Sequence, residues 1–532
     1  MTEAEKLIES TIEQLKPLYK AYTLADWESA VNGTPEANAA NQAAQAAYMR
    51  FLADPERYAA LKRLNAEGHA DPLAARQLKV LYLLAGQHQQ DEAAIEQLTS
   101  LEAGIRDQYY NFRGEVDGRR VSDNELDDIL SKSRDSELAQ EAWEASKQIG
   151  AQVAPQVREV ARVRNEAARR QGFRDHFQRS LELSEIEEPY LLEVFARLEA
   201  ATDTPFARLK VEIDAARAAH FGLPAGELQP WHYGDRFFQD TPPMGEVDLD
   251  SVFADQDPVQ LALKTFDGLG LEVRDILARS DLYERPGKNQ HAFCTDIDKE
   301  GDIRTLNNLQ PNHRWNSTLL HELGHAVYNK YQDPALPWLL RDYPHIFETE
   351  AIAHLMGSLA SNGEWLATIA GVAPAEAEHV AQAARRNERA SNLIFTRWVL
   401  VMTHFERALY ANPEADLDSL WWELVERYQG LRRPAGRSAP DWAAKIHVAL
   451  YPVYYHNYEL GHLLRAQLEH YLKQAAGGIV ERPAAGAWLR ERFFAPGNTQ
   501  DWTRHIAGAT GEGLNPDYFV RGLLMDGHSR TD

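Results

Sequence analysis

Apolar positions recur at helical spacing through most of the chain. Ile8, Ile12 and Leu15 fall at i, i+4 and i+7, the spacing of one helix face. Stretches rich in Ala, Leu, Glu and Arg at 36–65, 74–108 and 136–171 continue the pattern. Gly172 stands where it can cap the last of them. Three segments break this texture. Residues 222–247 carry Gly, Pro and aromatics and read as a long ordered loop. Residues 286–309 hold the one convincing strand pair, HAFCTDI and DIRTLNNL flanking the turn DKEG. Residues 432–440, RRPAGRSAP, form a loop rich in Arg and Pro. No repeat or low-complexity tract stands out. The pattern predicts a mostly-α chain with a small sheet inserted just before its most informative motif.

Composition narrows the function classes. At 532 residues the chain can bury a sizeable core without disulfides, and typical domain sizes allow about two to four domains or one large two-lobed unit. The net charge of −24, from 80 Asp+Glu against 56 Lys+Arg, argues against coating a nucleic-acid backbone. The single cysteine, Cys294, leaves no intrachain disulfide and fits a reducing cytoplasm. The N-terminal MTEAEKLIES lacks the basic-then-apolar order of a signal peptide, and no run of 18 or more apolar residues predicts a membrane span.

The chemistry centres on HELGH, 321–325. Residues four apart share a helix face, so His321 and His325 can bind one ion, and neutral imidazoles suit zinc. Glu322 lies about 100° around the helix, able to reach a water beside the metal without being a ligand. Leu319, Leu323 and Ala326 form the expected buried stripe, with Asn316 or Ser317 as the expected cap. Such a pattern arises by chance roughly 0.06 times in a chain of this composition. A catalytic zinc needs a third protein ligand. In FETEAIAHLMGSLA, 347–360, Ile352, Leu355, Met356 and Leu359 form an apolar stripe, and Glu350 shares the other face with His354. Glu348 points the opposite way and reads as a solvated glutamate favoured by the helix dipole. Glu350 is therefore the expected third ligand. Tyr455, Tyr458 and His462 fall at i, i+3 and i+7, a polar-aromatic stripe that packing alone would also produce.

HELGH followed by 24 residues and EAIAH resembles the gluzincin pattern of the angiotensin-converting enzyme family and its thimet oligopeptidase relatives. WWELVERYQGLRRPAGRSAPDWAAKIHV, 421–448, is similar to a long block of the same family. NEAARRQGF, 165–173, and the loop around Trp231 also resemble their counterparts. The likeness is weak through the N-terminal third and strong from about 160 to 470. It implies a two-lobed helical ellipsoid with a deep central cleft, one zinc at its floor and helices lidding the entrance. It also implies a single peptidase unit spanning 1–532, its lobes interleaved in sequence and its catalytic core within 286–475.

The resemblance implies roles residue by residue. His321, His325 and Glu350 match the zinc ligands, and Glu322 the general base. His447 matches a histidine that hydrogen-bonds substrate and tetrahedral intermediate, and Lys445 a lysine that grips the substrate's C-terminal carboxylate. Tyr455 matches a member of that carboxylate pocket and Tyr458 the oxyanion donor. The spacing from His447 is one residue longer than in the animal enzymes, which leaves Tyr454 open at this pair. His291 and Ala292 match the strand edge that pairs with substrate main chain. Three positions depart from the family. Tyr233 stands at the place of a carboxylate-binding glutamine, His354 at that of an aspartate orienting the first zinc histidine, and Asn457 at that of a chloride-binding arginine.

Three activities compete. The first is a zinc peptidyl-dipeptidase acting on short peptides. The second is an endo-acting oligopeptidase, which the loss of glutamine at Tyr233 would permit. The third is an inactive peptide-binding relative, disfavoured because ligands, base and oxyanion tyrosine occur together.

Overall fold

The computed structural model describes residues 1–243 and 249–524, and it is mostly α, with 71% of residues helical. Four helices open the chain: α1 (Glu3–Asn32), α2 (Pro35–Leu52), α3 (Pro55–Glu67) and α4 (Pro72–Gln87). Ile8, Leu15, Leu61, Leu78 and Leu81 form a small core between them, to which Trp338 and Leu339 contribute from far along the chain. The stretch predicted as 36–65 is two helices. Asp54 accepts the N–H groups of Glu56 and Arg57, and Pro55 occupies the first helical turn, so a new helix starts there. The stretch 74–108 also divides. Asp91 caps a separate helix, Glu92–Asn111, through the Ala94 N–H.

Two short antiparallel hairpins interrupt the helices. The first, β1 (Gly114–Val116) with β2 (Arg119–Val121), was not anticipated. Its signal is Asp117–Gly118, whose φ angles of 52° and 66° are those of a tight primed turn matching the strand twist. The second, β3 (Phe293–Asp296) with β4 (Ile303–Leu306), is the predicted pair, registered from Phe293 against Leu306 to Asp296 against Ile303. His291 and Ala292 precede β3 rather than lying in it. In its turn, Asp298 Oδ1 accepts the N–H groups of Glu300 and Asp302. Helix α1 braces this hairpin: Tyr19 and Thr23 donate to the carbonyls of Asp296 and Ile297.

The long helix Ser136–Arg170 buries Trp143, Ile149, Val153, Val157 and Val160 along one face and ends, as predicted, just before Gly172 at φ 96°. The loop after residue 221 buries Trp231, His232 and Tyr233. Its predicted last residues, 244–247, lie outside the described part. One hydrophobic core then runs from Ala94 to Leu523. Arg76 ties α4 to it through Glu185 and Asn498.

Candidate metal centre

The HELGH residues lie on the helix His313–Lys330. It begins earlier than predicted: Asn312 caps it by accepting the Trp315 N–H at 2.9 Å. Asn316 and Ser317 are inside the helix, where the Asn316 amide turns back to the Asn312 carbonyl. Leu319, Leu323 and Ala326 are fully buried, as expected.

A second helix, Ile346–Gly357, packs directly against it. Two glycines permit the contact. A Cβ on Gly324 would lie 2.8 Å from the Ala353 Cα, and one on Gly357 would lie 3.2 Å from the Ser317 carbonyl oxygen. The middle glycine of HELGH therefore lets the ligand-bearing helix approach. The tyrosine-bearing helix Tyr455–Ala476 closes in similarly, Gly461 lying against Glu350 and Phe347.

This packing gathers His321, His325 and Glu350. Glu350 Oε2 lies 3.8 Å from His321 Nε2 and 4.0 Å from His325 Nε2. Among the described residues these three form the one group of His, Cys, Asp or Glu side chains able to hold a metal ion, with ligand atoms within 4.8 Å of one another. Zinc bonds of about 2.0–2.2 Å in tetrahedral array need ligand separations of roughly 3.4 Å, about half an ångström less than the two glutamate–histidine separations. Burial brings His321 down to about 4 and, with His321 beside it, His325 to about 3, so both imidazoles are neutral. Burial also pushes Glu350 up to about 7, and burial with Glu350 pushes Glu322 up to about 8. Neutral imidazoles beside two poorly solvated carboxyls make a donor set that a divalent cation satisfies.

Glu348, Thr349 and Glu350 leave the first turn of their helix in three directions. The Thr349 hydroxyl meets His325 Nδ1 at 2.7 Å, and in accepting the Nδ1 proton it would leave Nε2 free for a metal. Glu348 is not the solvated residue predicted. It is 0% exposed and accepts hydrogen bonds from Tyr328 and His505. His354 Nε2 lies 3.9 Å from Glu350 Oε2, and its ring stacks on His462 with centroids 4.6 Å apart.

The tyrosines divide between two surroundings. Tyr454 and Tyr458, ring centroids 5.1 Å apart, are both raised by burial and next by the Glu350 carboxylate. Tyr455 faces Trp398 and His447 instead, 5.9 and 5.0 Å away. Lys445 Nζ sits 5.4, 5.4 and 5.7 Å from the rings of Phe237, Trp398 and Tyr455, and donates to Gln239 Oε1 at 2.7 Å. Burial brings this ammonium down to about 8 against the pull of Asp235 and Asp240. His447 is held to about 4 by burial and then by Lys445.

Tyr233 has other partners. Its hydroxyl donates to Asp214 and accepts from Lys210. The side-chain amide that meets Lys445 is Gln239, a partner that sequence reasoning overlooked. Asp235 accepts the N–H groups of Phe237, Gln239 and Asp240, and this local turn presents Gln239 to Lys445. His291 is exposed, its N–H donating to Asn289 Oδ1. Cys294, on β3, is close enough to Glu322 for that carboxylate to reinforce the effect of burial on its thiol.

A helical core presenting HExxH to a downstream glutamate defines a metal-dependent peptidase site. Comparison with known proteins agrees. Residues 276–524 match the model of Peptidase family M3, and residues 1–197 match the model described as Angiotensin-converting enzyme. An angiotensin-converting enzyme of Theromyzon tessulatum is 21% identical over 439 residues, 73% of this chain and 68% of that protein. The chain is a metallopeptidase, its two parts resembling the M2 and M3 families, which are zinc metallopeptidases. The N-terminal match falls where the motifs were sparse, and the site-bearing part matches the M3 model. Among the described residues no helix is long and apolar enough to cross a membrane.

Proposed function

We propose that this metallopeptidase hydrolyses short peptides and releases dipeptides from their C-termini. The observation that carries the reading is Lys445, a desolvated ammonium flanked by the Gln239 amide and the Tyr455 ring. Such a group suits a substrate carboxylate, since charge-assisted hydrogen bonds gain strength away from water. The steps from Tyr458 to Tyr455 and from Tyr455 to Lys445 are 5.6 and 5.7 Å.

His321, His325 and Glu350 would hold one zinc ion, which when bound supplies Lewis acidity toward the scissile carbonyl and acidifies water. Glu322 takes the proton from the attacking water and delivers it to the leaving amine. Tyr458 and His447 donate hydrogen bonds to the developing oxyanion. His291 and Ala292, leading into β3, align the substrate main chain, which confers little side-chain specificity. The reading includes a cleft between two sequence-interleaved lobes of one peptidase unit. The single cysteine supports a reducing, cytoplasmic setting.

The match of residues 276–524 to Peptidase family M3 favours a second reading, endo-cleavage without a terminal requirement. Mass spectrometry of a digested peptide pool, half of it C-terminally amidated, separates the two. Loss of C-terminal dipeptides from the free acids alone supports the first. Internal cuts indifferent to amidation would sink it and favour the second.

A further inference from the structure

Glu348 and His505 are 0% and 4% exposed, and they join segments 157 residues apart. His505 Nδ1 lies 2.9 Å from Glu348 Oε2, and Nε2 lies 3.0 Å from the Phe493 carbonyl oxygen. The Phe493 carbonyl only accepts, so Nε2 carries a proton, and with Nδ1 donating to Glu348 the ring is an imidazolium. Burial alone would discharge it, but Glu348 and Phe493 outweigh burial and hold it above the usual histidine range. The same Oε2 accepts from the Tyr328 hydroxyl at 3.0 Å. Tyr328 is three residues beyond His325, on the same helix.

The neighbouring positions give this pair its leverage. Glu348 is locked to Tyr328 and His505, Thr349 holds His325, and Glu350 faces both histidines. Successive residues leave a helix about 100° apart, so fixing Glu348 fixes the rotation of the turn that carries Glu350. The helix cap itself is weak: it is the His345 ring, accepting from the Phe347 N–H at a long 3.3 Å.

We propose that His505 is a positioning residue for the metal centre, its ring anchoring Glu348 and thereby setting where Glu350 meets His321 and His325. The inference rests on the metal-site reading. It goes beyond that reading by making the helix Trp502–Thr510, which supplies no ligand, part of the site's support.

Chelator competition and cobalt(II) absorption on the full chain test it. His505→Gln should weaken zinc binding at least about tenfold, as loss of a supporting partner does, and shift the cobalt spectrum. Tyr328→Phe, which leaves the imidazolium in place, should give a smaller loss in the same direction and serves if His505→Gln does not fold. Leu61→Ala, in the N-terminal core and distant from the site, controls for lost stability and should leave zinc affinity within about twofold. Unchanged zinc affinity in His505→Gln, or an equal loss in Leu61→Ala at matched melting temperature, would overturn the inference while the metal reading stands. Wild-type protein that takes up no zinc would overturn both.

Discussion

Glu322 is buried beside Glu350 and outside the group that could hold an ion, so a change there tests chemistry apart from assembly. Glu322→Gln should keep zinc and lose about 10²–10⁴-fold in kcat, measured on a fluorogenic peptide. At the other end of the substrate, Lys445→Met should raise KM for free-carboxylate peptides about 10- to 100-fold and leave amidated ones unchanged. Lys445 is brought down to about 8, so it is charged below that pH and neutral above it. KM for free-carboxylate peptides should therefore climb as pH rises through about 8, while a KM flat to pH 9 would contradict the assignment. At this scale the local spacing was legible and the distant partners were not. Helix periodicity set the faces of His321, His325 and Glu350, and the resemblance carried by the 24-residue interval paired the two helices. Glu348 was misread because its partner, His505, lies 157 positions away. Gln239 was missed because the turn centred on Asp235, rather than position along the chain, brings it to Lys445.

Between elements, the deciding contact is Gly324 against Ala353. A methyl group there meets backbone, which cannot swing aside. Gly324→Ala should therefore destabilise the protein by about 1–3 kcal/mol, read from urea unfolding, and weaken zinc binding by parting the two ligand-bearing helices. A wild-type midpoint and zinc affinity would show that the helices tolerate separation. The sequence pattern identified both helices and their buried stripes, since period 3.6 survives any tertiary context. Boundaries were less legible. Asn312, Asn316 and Ser317 can all cap, and only the chain's path into the helix selects Asn312. The pair Asp117–Gly118 does carry a hairpin signal, but strands of three residues give too few alternations to reveal themselves.

Across the whole molecule, several carboxyls are buried and poorly solvated, and two of them, Glu322 and Glu350, stand where a bound cation would offset their charge. Zinc should therefore stabilise the fold by mass action, about 4 kcal/mol at free zinc roughly 1,000 times Kd, and chelation should lower the melting temperature in calorimetry. Identical melting with and without chelator would argue against a site built from these groups. The central claim is that His321, His325 and Glu350 together hold the ion. Its most direct test is elemental analysis of zinc in purified wild-type protein and in Glu350→Ala. The account predicts about one zinc per chain in the wild type and near none in the variant. Zinc-free wild-type protein, or a variant that retains its full zinc, would contradict it.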